Sequence, residues 1–189
     1  MDDKYYPWGG EYEICSPEGC TAVVLLTTDY IPPNIVAIYG SLRTENIGIE
    51  KIVANVISNP KIRYLILCGD DIRGHRSGSS LIALHKNSID SQNRIIEAEG
   101  AIPYIENLNK KAIDRFQKQV EIFNLMNIKD KEKIDNLIYK LDKESPGSFG
   151  EPYIAIRIKV QHKITVNDKR ALHSKILLNY LGKVEKRGK

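Results

Sequence analysis

Apolar positions along this chain fall into short solid runs and longer helical stripes, and the two kinds alternate. Ala22–Thr28 is rich in β-branched residues and lies between Pro17-Glu18-Gly19 and Pro32-Pro33, so a buried strand is expected there. Ile35–Gly40 is a second apolar run that fits either a strand or a helix. Ile49, Ile52, Val53, Val56 and Ile57 then repeat at the spacing of one helical face, with Asn46 placed to cap the helix and Asn59-Pro60 to stop it. Ile62–Cys68 is the clearest buried strand, ended by Gly69-Asp70-Asp71.

A helix is expected from Ser77 to Lys86, capped by Ser77 or Ser79, then a short strand at Arg94–Ala98. Asn109–Lys118 reads as helix and Val120–Leu125 as strand. Asp130–Asp142 reads as a charged amphipathic helix burying Ile134, Leu137, Ile138 and Leu141. Strands alternating with helices over residues 20–142 predict an α/β fold with a mostly parallel sheet. Ser145–Gly150 breaks the pattern. Tyr153–Val160 beyond it alternates like a half-exposed strand, and Asp168–Leu181 reads as a basic helix.

Charge sharpens that division. Residues 150–189 carry ten Lys/Arg against three Asp/Glu, whereas the rest carries 18 against 21. Two units are therefore expected, a domain over residues 1–145 and a basic extension over 146–189, which fits either a partner or role of its own or a solvated basic helix. No run approaches the ~18 apolar residues of a membrane helix, and the start of the chain has no signal-peptide pattern. A soluble, cytoplasmic protein is the expectation. Cys15, Cys20 and Cys68 form an odd set without a second metal-binding pair, which argues against a disulfide framework or a zinc finger.

In a parallel sheet, ligands bind beyond the carboxyl ends of the strands. The segment after the best strand, Gly69 to Ser80, holds Gly69, Gly74 and Gly78 together with Ser77, Ser79 and His75, and leads into a helix. It has neither the Gly-Lys-Ser/Thr of a phosphate loop nor the dinucleotide fingerprint. His75 lies between two glycines with no evident core role, and imidazole is a common transition-metal ligand. A zinc site using His75 and His85 is a weaker reading, because His85 falls within a helix; His162 and His173 lie in the basic tail. Two further loops would reach the same edge: Gly40–Asn46, with Thr44 and Asn46, and Gly100–Asn107, with Gly100, Pro103 and Tyr104. From spacing alone, ordinary surface turns are the better reading of both.

Several blocks carry a more specific signal: Thr44–Lys51, Val53–Pro60, Leu67-Cys68-Gly69, Gly74-His75 with Gly78, Leu81–His85, Gly100–Asn107 and Arg115-Phe116-Gln117. In order and spacing they resemble the A-subunit family of the archaeal tetrahydromethanopterin S-methyltransferase, over about residues 8–142. The resemblance implies a Rossmann-like domain that holds a cobamide, with His75 as lower axial ligand to cobalt. Gly74, Gly78, Ser77, Ser79, Gly69, Thr44, Asn46, Gly100, Pro103 and Tyr104 would surround the cofactor. It implies a methyl carrier that takes a methyl group from methyl-tetrahydromethanopterin on Co(I) and passes it to coenzyme M or another thiol, alongside partner methyltransferase subunits and not catalytic alone. The family's typical member ends in a membrane helix, whereas this chain ends in a short basic segment, so a soluble homologue is expected. The alternative is a regulatory or scaffold homologue that binds a partner or polyanion through the basic tail. Nucleic acid is disfavoured by the tail's few aromatic residues, Tyr153 and Tyr180.

Overall fold

The computed structural model describes residues 5–128 and 130–156, and the backbone of residues 176–178 and 184–186. Its elements run β1 (Tyr12–Ile14), β2 (Thr21–Leu25), β3 (Ile38–Ser41), α1 (Ile47–Ser58), β4 (Tyr64–Gly69), α2 (Ser77–Asn87), α3 (Lys110–Gln119), β5 (Glu121–Met126) and α4 (Lys131–Lys143). The five strands form one sheet in the order β1-β3-β2-β4-β5. β3, β2, β4 and β5 are mutually parallel, and only the edge strand β1 runs against its neighbour. The fold is therefore mixed α/β on a mostly parallel sheet, as the alternation predicts.

Period-two side-chain placement divides the core. Ala22, Val24, Leu65 and Leu67 point to one face, where they pack with Ile49, Val53 and Ile57 of α1, Leu81 and Leu84 of α2, and Ile113 and Phe116 of α3. Val23, Ile66 and Cys68 point to the other, against Tyr30, Val36 and the stripe Ile134, Ile138 and Leu141 of α4. Among the described residues, three helices cover one face and one helix the other. The chain leaves β2 toward β3 and then crosses back over β2 to β4, so the strand order reverses between β2 and β4. Loops at the carboxyl ends of these strands are where such sheets seat ligands.

The ambiguous run Ile35–Gly40 resolves as a strand in its second half, Ile38–Gly40 being the first three residues of β3. Four sequence expectations change. β1 has no marked hydrophobic signal; it is held by pairing Tyr12 with Gly40 and Ile14 with Ile38. Arg94–Ala98 forms no strand, only isolated bridges of Ile95 to Ile89 and Arg94 to Tyr104. The Asp90 carboxylate accepts from the Gln92 and Arg94 amides there, and that turn leaves no extended partner. Tyr153–Ile156 is not a strand: the Tyr153 N–H donates to Ile57 O, and Tyr153, Ala155 and Ile156 pack on the main core. Residues 157–160 lie outside the described part.

In the expected helix Asp168–Leu181, Ile176–Leu178 is instead a strand, paired antiparallel with Val184–Lys186. The remainder of that expected helix lies outside the described residues. Among the described residues no helix is long and apolar enough to cross a membrane.

Candidate functional site

Three connections meet at the carboxyl edge of the sheet. The first, from β3 into α1, is fixed by two caps: Asn46 Oδ1 accepts from the Ile47 amide at 2.7 Å, and Thr44 Oγ1 from Gly48 at 3.0 Å. The second, from β4 into α2, begins at Gly69, whose φ of +95° suits glycine. It is tied to the loop after β2 by reciprocal amide–carbonyl bonds of Thr27 and Asp70. The third runs from α2 to α3 and contains residues 99–107.

Helix α2 starts differently from expectation. Its N-cap is Arg76 in the left-handed region, at φ 44° and ψ 45°, and Arg76 supplies no side-chain cap. Ser77 and Ser79 do not cap either. The cap is the Asp71 carboxylate, which accepts from the Gly78 and Ser79 amides at 3.0 Å each and from Ser79 Oγ at 2.9 Å. A carboxylate can accept several N–H groups and also suits the positive end of the helix, which a serine hydroxyl cannot match. Ser77 Oγ and Ser80 Oγ are buried without a hydrogen-bond partner among the described residues.

The chemically distinctive feature is a pair. Glu45 Oε2 lies 2.9 Å from His75 Nδ1, and its Oε1 accepts from the Ile102 amide at 2.8 Å. The Glu45 side chain is 3% exposed and that of His75 is 54% exposed. Burial works to raise the Glu45 carboxyl pKa. Backbone N–H donors (its own and that of Ile102) and the His75 side chain outweigh burial, so the group sits below its ordinary value and remains ionised. An ionised carboxylate can only accept. His75 Nδ1 therefore carries the proton that it donates, and in the neutral form of the ring the lone pair is on Nε2.

Small residues make room for this pair. A Cβ on Gly100 would come within 2.5 Å of His75 O and 2.8 Å of Glu45 Cγ, so only glycine lets the third loop lie against the other two. Gly74 has φ +89° and open space around it, and Gly78 packs directly on Leu26 and Met126. Arg76 forms an ion pair with Glu99, a second tie between the same loops.

Of the residues picked out from sequence, His75, Gly74, Gly100, Thr44 and Asn46 gather around the Glu45–His75 pair or on the loop that carries Glu45. Gly69, Ser77, Gly78 and Ser79 shape the turn into α2. Pro103 and Tyr104 brace the third loop, Pro103 O accepting from Ile95 and Tyr104 bridging to Arg94. His85 is occupied elsewhere, with Nε2 2.7 Å from Val120 O and its ring edge-on to Phe116.

Two residues that organise the site do not stand out in the sequence. Glu45 and Glu50 are 2% and 1% exposed, and Glu50 accepts from the Glu106 and Asn107 amides at 2.7 and 3.0 Å. The signal they do carry is positional. Glu50 shares the buried face of α1 with Ile49, Val53, Ala54 and Ile57, and an acid among core positions must have donors facing it.

A cofactor metal that takes one imidazole fits what is present: a histidine with one nitrogen anchored to a buried carboxylate and the other without a hydrogen-bond partner among the described residues, on a loop flanked by small residues. Among the described residues no group of three or more His, Cys, Asp or Glu could enclose a bare metal ion. Fold and site thus define an α/β domain that offers a single carboxylate-held imidazole at the carboxyl edge of a parallel sheet.

Comparison with known proteins gives that class its family. Residues 2–166 match the family model for the A subunit of tetrahydromethanopterin S-methyltransferase. The chain is 44% identical over 154 residues to the tetrahydromethanopterin S-methyltransferase A subunit 1 of Methanothermobacter thermautotrophicus, covering 79% of this chain and 65% of that protein. It is 44% identical over 151 residues to the corresponding A subunit of Methanosarcina acetivorans, covering 77% of this chain and 62% of the relative. With the chain named as the A subunit of the methyltransferase Mtx in Methanosarcina barkeri it shares 41% over 150 residues, or 79% and 76% of the two lengths. This chain belongs to the family of the tetrahydromethanopterin S-methyltransferase A subunit. Its match spans less than two thirds of the length of the first of these relatives.

Proposed function

We propose that this chain is a cobamide-binding methyl carrier in which His75 is the lower axial ligand to cobalt. The carrying observation is the His75–Glu45 hydrogen bond of 2.9 Å, on a His75 side chain that is 54% exposed. When bound, the cobamide would supply a cobalt centre able to hold a methyl group between methyl-tetrahydromethanopterin and a thiol acceptor such as coenzyme M. The methyl-transfer chemistry at either end would belong to partner methyltransferase subunits.

The chain's own contribution is to present and regulate the ligand. Glu45 accepts the Nδ1 proton, so that the neutral ring presents its lone pair at Nε2, and it fixes the ring's orientation through a carboxylate that is itself immobilised by Ile102 N–H. A ligand needed in one oxidation state of the metal and not in another must be able to move, and the glycine-rich turn Gly74–Gly78 provides that freedom. Because Glu45 also holds residue 102, any displacement of His75 is felt in the third loop. The reversal of strand order beside this edge supports a Rossmann-like reading of the domain, with residues 1–145 as the cobamide-binding unit and 146–189 as a basic extension.

The test is an anaerobic titration of the protein and of His75→Ala with aquocobalamin, followed by absorption. Stoichiometric binding with a histidine-dependent shift of the cobalt bands is expected. Binding with identical spectra in both proteins would remove His75 from the metal. No binding at all would leave the regulatory reading, in which the basic tail engages a partner.

A further inference from the structure

Strand β5 is one edge of the sheet, and its outer side pairs with no strand among the described residues. Successive residues of a strand turn their N–H and C=O groups to alternate sides. The Glu121 amide donates to Arg63 O and the Asn127 amide to Gly69 O, so odd-numbered residues face β4. Ile122, Asn124 and Met126 therefore face outward. Two outward groups are occupied: Val120 O lies 2.7 Å from His85 Nε2, and the Met126 amide donates to Asn124 Oδ1 at 3.0 Å. The N–H and C=O of Ile122 and Asn124 have no partner among the described residues. Edges of this kind are usually blunted by proline, lysine or a bulge, and β5 has none of them. Four of its six residues, Ile122, Phe123, Leu125 and Met126, are apolar and only partly buried.

We infer that β5 pairs antiparallel with β5 of a second copy of this chain, about a twofold axis at Asn124, so that the two sheets become one. In that register Asn124 lies opposite itself, Ile122 opposite Met126, and Phe123 opposite Leu125. Outward-facing residues then meet outward-facing residues, as a hydrogen-bonded antiparallel pair requires, and a slip of one residue would break the match. Opposed residues share a face, so Ile122 meets Met126 on the α2 side and Phe123 meets Leu125 on the α4 side. Glu121 falls opposite Asn127, and no like charges oppose each other.

Charge on the flanking helix is complementary as well. α2 runs back along β5, with Gly78 at its start against Met126 and Lys86 near its end beside Glu121 and Ile122. The twofold axis reverses one α2 against the other. It brings Lys86 toward the start of α2 in the second copy, where the Asp71 carboxylate caps the helix. Neither Lys86 nor Asp71 has an ion-pair partner among the described residues. The groove of about 310 Å³ beside this edge, with Ile82 and Ile122 in its wall, would be closed by the added strand. An interface of this form is self-complementary, the commonest kind in soluble oligomers. Antiparallel pairing also points the carboxyl edges of the two sheets in opposite directions. Both His75 loops stay clear of the interface, and the inference does not depend on what His75 binds.

The experiment measures the mass of the full-length protein by light scattering after gel filtration, from low to high micromolar concentration. A dimer is expected. Asn124→Pro removes an outward amide and leaves the ladder to β4 intact, so it should be monomeric with native circular dichroism. Lys86→Glu opposes like charges twice in each dimer and should raise the dissociation constant roughly tenfold, less so at high salt. Asn124→Cys sets two thiols across the axis with Cα atoms about 5.5 Å apart, and mild oxidation should link the copies covalently. The native protein, with Cys15, Cys20 and Cys68, should not be linked under the same conditions. If Asn124→Pro does not fold, Lys86→Glu and the cross-link decide. A native protein that stays monomeric at the highest concentration would overturn the inference, leaving the edge to the C-terminal extension or to a different chain. A dimer that survives Asn124→Pro and Lys86→Glu, with no cross-link in Asn124→Cys, would overturn it too.

Discussion

Glu45→Gln alters hydrogen bonding at the site without altering its shape. The native carboxylate faces two donors, Ile102 N–H at 2.8 Å and His75 Nδ1 at 2.9 Å, and accepts from both. A glutamine amide has one oxygen and one NH₂, so one of the two contacts must change. The backbone N–H cannot become an acceptor. Turning the NH₂ toward it would oppose two donors and leave a buried amide unpaired, at about 1–3 kcal/mol. Turning the NH₂ toward His75 costs less, since a neutral imidazole can accept at Nδ1 by moving its proton to Nε2. That tautomer has no lone pair to offer a metal.

The expected consequence separates stability from ligation. Exchanging charge-assisted for neutral hydrogen bonds should cost roughly 1 kcal/mol, lowering Tm by about 3 °C. Loss of the carboxylate behind the imidazole should weaken histidine ligation by about 10–100-fold. Thermal melting gives the first quantity, and absorption titration of the cobamide complex gives the second. Glu45→Ala, which leaves Ile102 N–H without its acceptor, should melt lower than Glu45→Gln. If Glu45→Gln kept the native histidine-dependent spectrum and a Kd within about twofold of native, the tautomer argument would be refuted.

Other perturbations follow from neighbouring geometry. Glu50→Gln meets two backbone N–H groups, neither of which can change role, so it should cost about 1–3 kcal/mol and lower Tm by roughly 3–9 °C, more than Glu45→Gln; a smaller drop in thermal melting would count against it. Burial is the main cause holding the His85 pKa below its ordinary 6.5, against a raising contribution from its bond to Val120 O and with a further lowering from Lys86. Its contribution to stability should be complete above pH 6.5 and decline as pH falls through the depressed folded value, and chemical denaturation across that range should show a slope that His85→Gln reduces. Burial pushes the Cys68 thiol up to about 12, so in the native state it should resist alkylation at pH 8 and react only on unfolding, as mass spectrometry of the labelled protein would show.

The parts of the fold that hydrophobic pattern could expose are those whose stability comes from burial. β2, β4 and the stripes of α1, α3 and α4 are legible because each buries one face or both, and the residues Asn46, Asn109 and Asp130 that open those helices all form side-chain capping bonds. β1 left no pattern because an edge strand of three residues depends on its partner's backbone. Arg94–Ala98 looked like a strand because Ile95 and Ala98 are buried, yet loops can bury apolar side chains when their amides have other acceptors. At Tyr153–Ile156 alternation misled for a related reason: two guanidiniums, Arg63 and Arg115, stack on Phe149, and Arg115 also takes the carbonyls of Phe149 and Glu151, which fixes the chain against the core before a sheet edge is reached.

The candidate site was legible in its small residues and its histidine, but not in what makes the histidine a defined ligand. Glycines and a lone imidazole on a loop announce close packing and chemistry by residue type alone. Glu45 and Asp71 look like ordinary surface acids in sequence, because their value lies in amides contributed from elsewhere: Ile102 lies 57 residues from Glu45, and the amides that Asp71 accepts belong to the next helix. A buried carboxylate is tolerated only where such donors converge. Convergence of that kind on both Glu45 and Glu50 means that residues 100–107 are held in place by two acids at the start of α1. The loop that packs against His75 and the first turn of α1 therefore share their anchors.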